Sequence, residues 1–90
     1  MNRTETEKTV IKIILDNAHS AYNVEEVRPE FELINDIGMK SLDSLIMIDD
    51  LETAFNISFS DEETQQWKTV GNVIEAVKGK IPVAGADGFK

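Results

Sequence analysis

The chain contains no cysteine, which excludes disulfide frameworks, thiolate nucleophiles and cysteine metal sites together. His19 is the single histidine. With no second histidine or cysteine to join, it lacks the companions of a metal centre, and nothing in the sequence pairs it with a serine. A surface position at a helix end is expected for it. The many carboxylates lack the spacing of a calcium-binding loop. No apolar run is long enough to span a membrane. The N-terminal residues 1–8 are polar and carry acids, without the apolar core of a signal peptide. No internal repeat is present. These absences predict a soluble cytoplasmic domain.

What remains is a chain of 90 residues, enough for one hydrophobic core and too short for a deep, walled active site. The hydrophobic fraction of 41% excludes disorder throughout. Seventeen acidic residues against nine basic ones give a formal net charge of −8. A field of that sign repels nucleic acid and anionic membrane, and favours encounter with a basic patch on a protein.

Apolar periodicity divides the chain into helices. A first helix is expected from near Thr4, where Thr4 and Glu7 have capping-box spacing. Val10, Ile11, Ile14, Leu15 and Ala18 follow a helical rhythm and form one apolar face, and residues 17–23 read as its fraying end. Residues 24–40 form a long connection. Pro29 removes a backbone donor and biases Arg28 away from helix. Val27, Phe31, Leu33, Ile34 and Ile37 predict that this connection lies against the core. Gly38 allows a tight turn into a second helix.

The second helix is predicted over residues 41–55. Leu42, Leu45, Ile48 or Asp49, Leu51 or Glu52, and Phe55 mark the rhythm of its apolar face, Ile46 and Met47 broaden it, and Asp43, Asp49, Asp50 and Glu52 supply the wet side. Met47, Leu45, Leu51, Phe55, Val73, Ile74 and Val77 are expected in the core. Ile57 and Phe59 anchor the following break inward. Ser60 and Glu63 repeat the capping-box spacing and open a short third helix ending near Trp67, itself expected at the edge of the bundle. Thr69 caps a last helix with Val70, Val73, Ile74 and Val77 on one face, ending near Gly79 and Lys80. Residues 81–90 read as a flexible tail. The fold class is therefore all-α: a small four-helix bundle over residues 1–80, mostly antiparallel, with a long first loop and a short third helix.

The most informative stretch is residues 36–45, Asp-Ile-Gly-Met-Lys-Ser-Leu-Asp-Ser-Leu. It delivers Ser41 to the start of the second helix, at the positive end of the helix dipole, where a phosphate is favoured. Taken alone, a serine in this place is most often an N-cap and nothing more. The acids Asp43, Asp49, Asp50 and Glu52 are likewise either a solvated face or a docking strip beside Ser41, with Asp43 the best single candidate.

In order with its surroundings, the stretch resembles the acyl carrier protein family. The matching residues are Asp36, Ile37, Gly38, Ser41, Leu42, Asp43, Leu51, Glu52, Phe55 and Ile57, followed by Asp61, Glu62 and Glu63 in the short acidic helix and Thr69, Val70 and Gly71 at the start of the last. The resemblance implies that Ser41 accepts a 4'-phosphopantetheine group from coenzyme A through a separate phosphopantetheinyl transferase. It also implies that the arm's thiol carries acyl groups as thioesters to acyl-loading and acyl-processing enzymes that meet the acidic second helix. Imported sulfur would give a cysteine-free chain its thiol chemistry. The interior would open to shelter the cargo, with Met47 an adaptable lining. Two positions depart from the family's pattern. Lys40 stands where an aspartate is usual, and Ile46 where many members carry an acid on the partner-facing helix. Both make the rim of the site less negative and point to a specialised carrier.

The reading is a monomeric carrier, not an enzyme, serving fatty acid, polyketide or related lipid synthesis. Two alternatives stay open: an aminoacyl or other specialised carrier on the same fold, and an acidic helical adaptor that is never modified. A small hydrolase using Ser41 is set aside, because no base stands beside it in the sequence.

Overall fold

The structure, a computed structural model, describes residues 4–81. Four α-helices follow in order: α1, Glu5–Ala18; α2, Ser41–Phe55; α3, Asp61–Gln65; and α4, Val70–Lys80. A single 3-10 turn, Val24–Glu26, interrupts the connection between α1 and α2. Helix α1 packs against both α2 and α4. The expected all-α bundle, with its long first loop and short third helix, is the observed architecture. Most of the expected tail, residues 82–90, lies outside the described residues. Ile81, where that tail was expected to begin, donates its N–H to Val77 at 3.1 Å and packs against the core.

The caps read from the sequence form as expected. Thr4 Oγ1 accepts the N–H of Glu7 at 3.2 Å while Glu7 Oε1 accepts that of Thr4 at 3.3 Å, so two backbone donors with no helical partner are satisfied. Ser60 and Glu63 repeat the exchange at the start of α3, at 3.2 and 2.8 Å. At α4, Thr69 Oγ1 accepts from Asn72 at 3.2 Å. Helix α1 stops at His19, whose φ of 54° is left-handed, a conformation that closes a helix end at some cost for a residue with a Cβ. His19 is exposed there, as expected.

Nine side chains are essentially sealed from solvent: Val10, Ile11 and Ile14 of α1, Val27 of the loop, Met47 and Leu51 of α2, and Val70, Val73 and Val77 of α4. Every one is apolar, and no polar side chain is buried among the described residues, so none there needs a compensating bond. The loop over residues 24–40 supplies a wall of this core through Val27, Leu33, Ile37 and Met39. It is fastened to the start of α4 by backbone bonds: Leu33 N–H to Lys68 O at 2.9 Å, Val70 N–H to Phe31 O at 2.9 Å and Gly71 N–H to Pro29 O at 2.8 Å. Gly71 lets this seam close tightly, because a Cβ on it would stand 3.1 Å from the Pro29 carbonyl oxygen and press the seam apart by a few tenths of an ångström.

Four apolar residues expected to face inward do not: Ile34, Leu42, Leu45 and Ile46. Leu42 and Leu45 are 68% and 65% exposed, and Ile34 is 71% exposed. The inward face of α2 is set by Met47, Ile48, Leu51 and Phe55. With about 100° of rotation per residue, Leu42, Leu45 and Ile46 fall on the opposite side. The core layer they would have filled is occupied by Met39, only 2% exposed, and Ile37 from the loop. Within the loop, Leu33 turns in and Ile34 turns out as the chain winds through the bonds that lead to Gly38.

Candidate functional site

The entrance to α2 is built by a loop that closes on itself. Asp36 Oδ2 accepts the N–H of Glu32 at 2.7 Å, and the N–H groups of Asp36 and Ile37 both return to Glu32 O at 3.0 Å. Asn35 Nδ2 donates to Glu32 Oε1 in the same turn. Gly38 then takes a φ of +87°, a region that residues with a Cβ avoid, and donates to Ile34 O at 3.1 Å. Met39 follows with a bond to Leu33 O at 2.8 Å. Its buried side chain fixes the direction in which the chain enters the helix.

Lys40 is the N-cap and Ser41 the first helical residue. The simplest reading of Ser41, as the capping residue itself, is therefore replaced. Capping is done from the other side: Asp43 Oδ2 accepts the N–H of Lys40 at 3.2 Å. The first bond closing the helix runs from Ser44 N–H to Lys40 O at 3.0 Å, and Ser44 Oγ donates to the same oxygen at 3.2 Å. Ser41 is exposed, and its hydroxyl bonds no group among the described residues. The N–H groups of Ser41, Leu42 and Asp43 precede the first closing bond, so the positive end of α2 surrounds this hydroxyl.

The acids of α2 divide by what they hold. Asp43 is half-buried and engaged with Lys40. Asp50 accepts from Asn17 Nδ2 at 3.0 Å, joining α2 to the last turn of α1. Glu52 accepts the N–H of Phe59 at 2.8 Å and ties down the chain after α2. Asp49 is exposed and has no bond among the described residues. Sequence reasoning placed these acids on the wet side of the helix; the bonds of Asp50 and Glu52 to distant residues left no mark in the sequence.

A hollow of about 270 Å³ lies beside the first turn of α2, with Leu33, Ile34, Ser44, Trp67 and Lys68 in its lining. Trp67 stands edge-on to Phe59, with ring centroids 4.8 Å apart, and the pair packs against the core. A wider, open groove of about 590 Å³ runs between α3 and α4, bordered by Glu62, Glu63 and Glu75 and by no residue of α2. Met47, named from the sequence as an adaptable lining, is sealed within the core. Among the described residues, no group of three or more His, Asp or Glu side chains is placed to hold a metal ion, and no helix is long and apolar enough to cross a membrane. What the site offers is an accessible primary alcohol on a rigid mount, next to a lysine and at the positive end of a helix. It is suited to hold a phosphoester.

The chain is 38% identical over 80 residues to an acyl carrier protein of Porphyromonas gingivalis, a match covering 87% of this chain and 97% of that one. It is 33% identical over 81 residues to an acyl carrier protein of Thermosynechococcus vestitus, covering 90% and 98%. A solved structure assigned to an acyl carrier protein of Mycobacterium tuberculosis superposes with a TM-score of 0.75 at 27% identity, over 82% of this chain and 96% of that one. No protein-family model matches the chain.

Proposed function

The chain belongs to the acyl carrier protein family, and from that premise we propose that Ser41 is the residue that bears its 4'-phosphopantetheine arm. When bound, the arm supplies the thiol that this cysteine-free chain lacks. The observation that carries the reading is the position of Ser41: exposed, unbonded and first in α2. A second serine stands three residues on, but Ser44 is half-buried and donates its hydroxyl to Lys40 O.

The chain's own residues would serve the phosphodiester in three ways. The first-turn N–H groups of α2 point toward negative charge at Ser41. Lys40 brings an ammonium next to it in sequence. Gly38 and Met39 hold the entrance in one conformation, so cargo swings from a fixed base. Tethering raises the effective concentration of cargo at a partner's active site. The chain itself catalyses nothing in this reading. Its partners are the phosphopantetheinyl transferase and the acyl-loading and acyl-processing enzymes, meeting it in the cytoplasm on α2 beside Ser41. The domain that performs this is residues 1–80.

Incubation with coenzyme A and a broad-specificity phosphopantetheinyl transferase, followed by intact-mass measurement, tests the proposal. A gain of one arm supports it. No gain with several transferases returns the chain to the class of unmodified acidic adaptors.

A further inference from the structure

Trp67 stands between the hollow beside α2 and the core. On one side its ring meets Phe59 edge-on, with centroids 4.8 Å apart, and both rings pack against the core. On the other it lines the hollow. Phe59 is braced from two helices: Glu52 of α2 accepts its N–H at 2.8 Å, and the Lys80 ammonium of α4 lies 5.8 Å from its ring centre. A large ring pair fastened in this way closes the hollow against the interior, where Met47 and Leu51 are already sealed.

The hollow is within reach of Ser41. Ser44 borders it and lies one turn further along the same side of α2. Leu33, Ile34 and Trp67 give the hollow an apolar surface, and Glu32, Asn35 and Lys68 form its polar rim. Glu32 and Lys68 pair at 3.8 Å and Asn35 donates to Glu32, so the rim's charges already answer one another. Its volume of about 270 Å³ is that of about nine waters at about 30 Å³ each. A methylene takes about the room of a water, so the hollow admits a thioester with a chain of about six carbons.

We propose that Trp67 sets the cargo this carrier shelters. The arm on Ser41 lays short, uncharged acyl groups in the hollow, against Leu33, Ile34 and Trp67, and longer chains stay in solvent beyond about six carbons because the Trp67–Phe59 pair bars the core. An uncharged group is favoured because the surface beneath it is apolar and the rim's cation and anion are paired with each other. This goes one step past the carrier reading of Ser41, on which it rests, and names the class of cargo.

The test loads the full chain with a phosphopantetheinyl transferase from acetyl-, hexanoyl- or dodecanoyl-coenzyme A, and intact mass follows cleavage of each thioester by hydroxylamine. Relative to the same thioesters of free pantetheine, hexanoyl is expected to be protected at least about threefold more than acetyl, since each sheltered methylene shifts the docked fraction up to about fourfold. Dodecanoyl should be protected no better than hexanoyl. Emission of Trp67, the single tryptophan, should change from the acetyl to the hexanoyl chain and no further with dodecanoyl. Ile34→Ser, at a side chain 71% exposed, should abolish the protection of hexanoyl with the thermal midpoint unchanged. Trp67→Val unbars the core and should extend protection to dodecanoyl; if that variant does not fold, the wild-type series and Ile34→Ser decide. Dodecanoyl protected better than hexanoyl in wild type would overturn the proposal, because cargo then passes Trp67 into the interior. So would hexanoyl cleaved as fast as acetyl, full protection in Ile34→Ser, or a folded Trp67→Val that leaves dodecanoyl unprotected. Each of these outcomes needs a loaded chain and leaves the carrier reading intact. A wild-type chain that accepts no arm from any transferase overturns the carrier reading, and this proposal with it.

Discussion

Asp43 Oδ2 accepts the backbone N–H of Lys40 at 3.2 Å, so the acid two residues after Ser41 closes the helix entrance around it. Asp43→Ala removes the acceptor at this cap and leaves the Lys40 N–H to water. A loss of about 1 kcal/mol in unfolding free energy is expected, typical of a lost helix cap, and Asp43→Asn should recover part of it. Chemical denaturation of the three chains measures this. Equal stability of Asp43→Ala and wild type would show that the bond contributes nothing.

The two glycines of α4 should respond in opposite directions. Gly71→Ala places a Cβ 3.1 Å from Pro29 O and 3.3 Å from Pro29 Cβ, pressing on the seam that fastens the long loop. A cost of roughly 1–3 kcal/mol follows from overpacking against backbone. At Gly79 a Cβ meets nothing within 4 Å, and Gly79→Ala should stabilise by about 0.5–1 kcal/mol through helix propensity. Thermal melts of the pair give the sign of each.

Leu45 and Leu51 look alike in the sequence and differ in the fold. Leu51 is fully buried, and Leu51→Ala should cost about 2–5 kcal/mol. Leu45 is 65% exposed, and Leu45→Ala should stay within about 0.5 kcal/mol of wild type. Similar losses at both sites would contradict the placement of the outward face of α2.

That contrast marks where the sequence was legible and where it was not. Helices α1 and α4 carry apolar residues at one phase with polar residues around them, and Thr4 and Thr69 announce their caps as Ser60 announces that of α3, so the starts and buried faces of both could be read. Helix α2 runs Leu45-Ile46-Met47-Ile48 without a polar interruption, and a continuous apolar run has no phase. Which side turned inward was decided by Met39 and Ile37 arriving from the loop, a tertiary fact. The bonds from Asp50 to Asn17 and from Glu52 to Phe59 are of the same kind, since their partners lie on other segments. Ser41 itself was readable because a glycine-containing entry and the start of the helix are both local.

Stability should hold across a broad neutral plateau and decline modestly towards both ends of the pH scale. The Ser60 N–H at 2.8 Å, and then the Lys80 ammonium at 3.0 Å, hold the Glu63 carboxyl below its ordinary value of 4.5. A lowered acid stabilises the fold above its unfolded value and loses that contribution as pH falls through the folded one. The Glu7 carboxylate, 2.7 Å away, raises Lys78 above its ordinary value of 10.5. That contribution is complete below 10.5 and is lost as pH rises through the folded value. Glu63→Gln should flatten the acid limb of a thermal midpoint against pH, and Lys78→Met the alkaline limb. A wild-type acid limb in Glu63→Gln would assign the acid dependence to other carboxyls.

The most direct measurement is intact mass of four chains treated alike with coenzyme A and a phosphopantetheinyl transferase: wild type, Ser41→Ala, Ser44→Ala and Ser41→Ala/Ser44→Ala. Wild type and Ser44→Ala are expected to gain one arm each, and the two chains lacking Ser41 to gain none. An arm retained by Ser41→Ala, or a wild-type chain that stays bare with every transferase tried, would contradict the assignment of Ser41 as the attachment point.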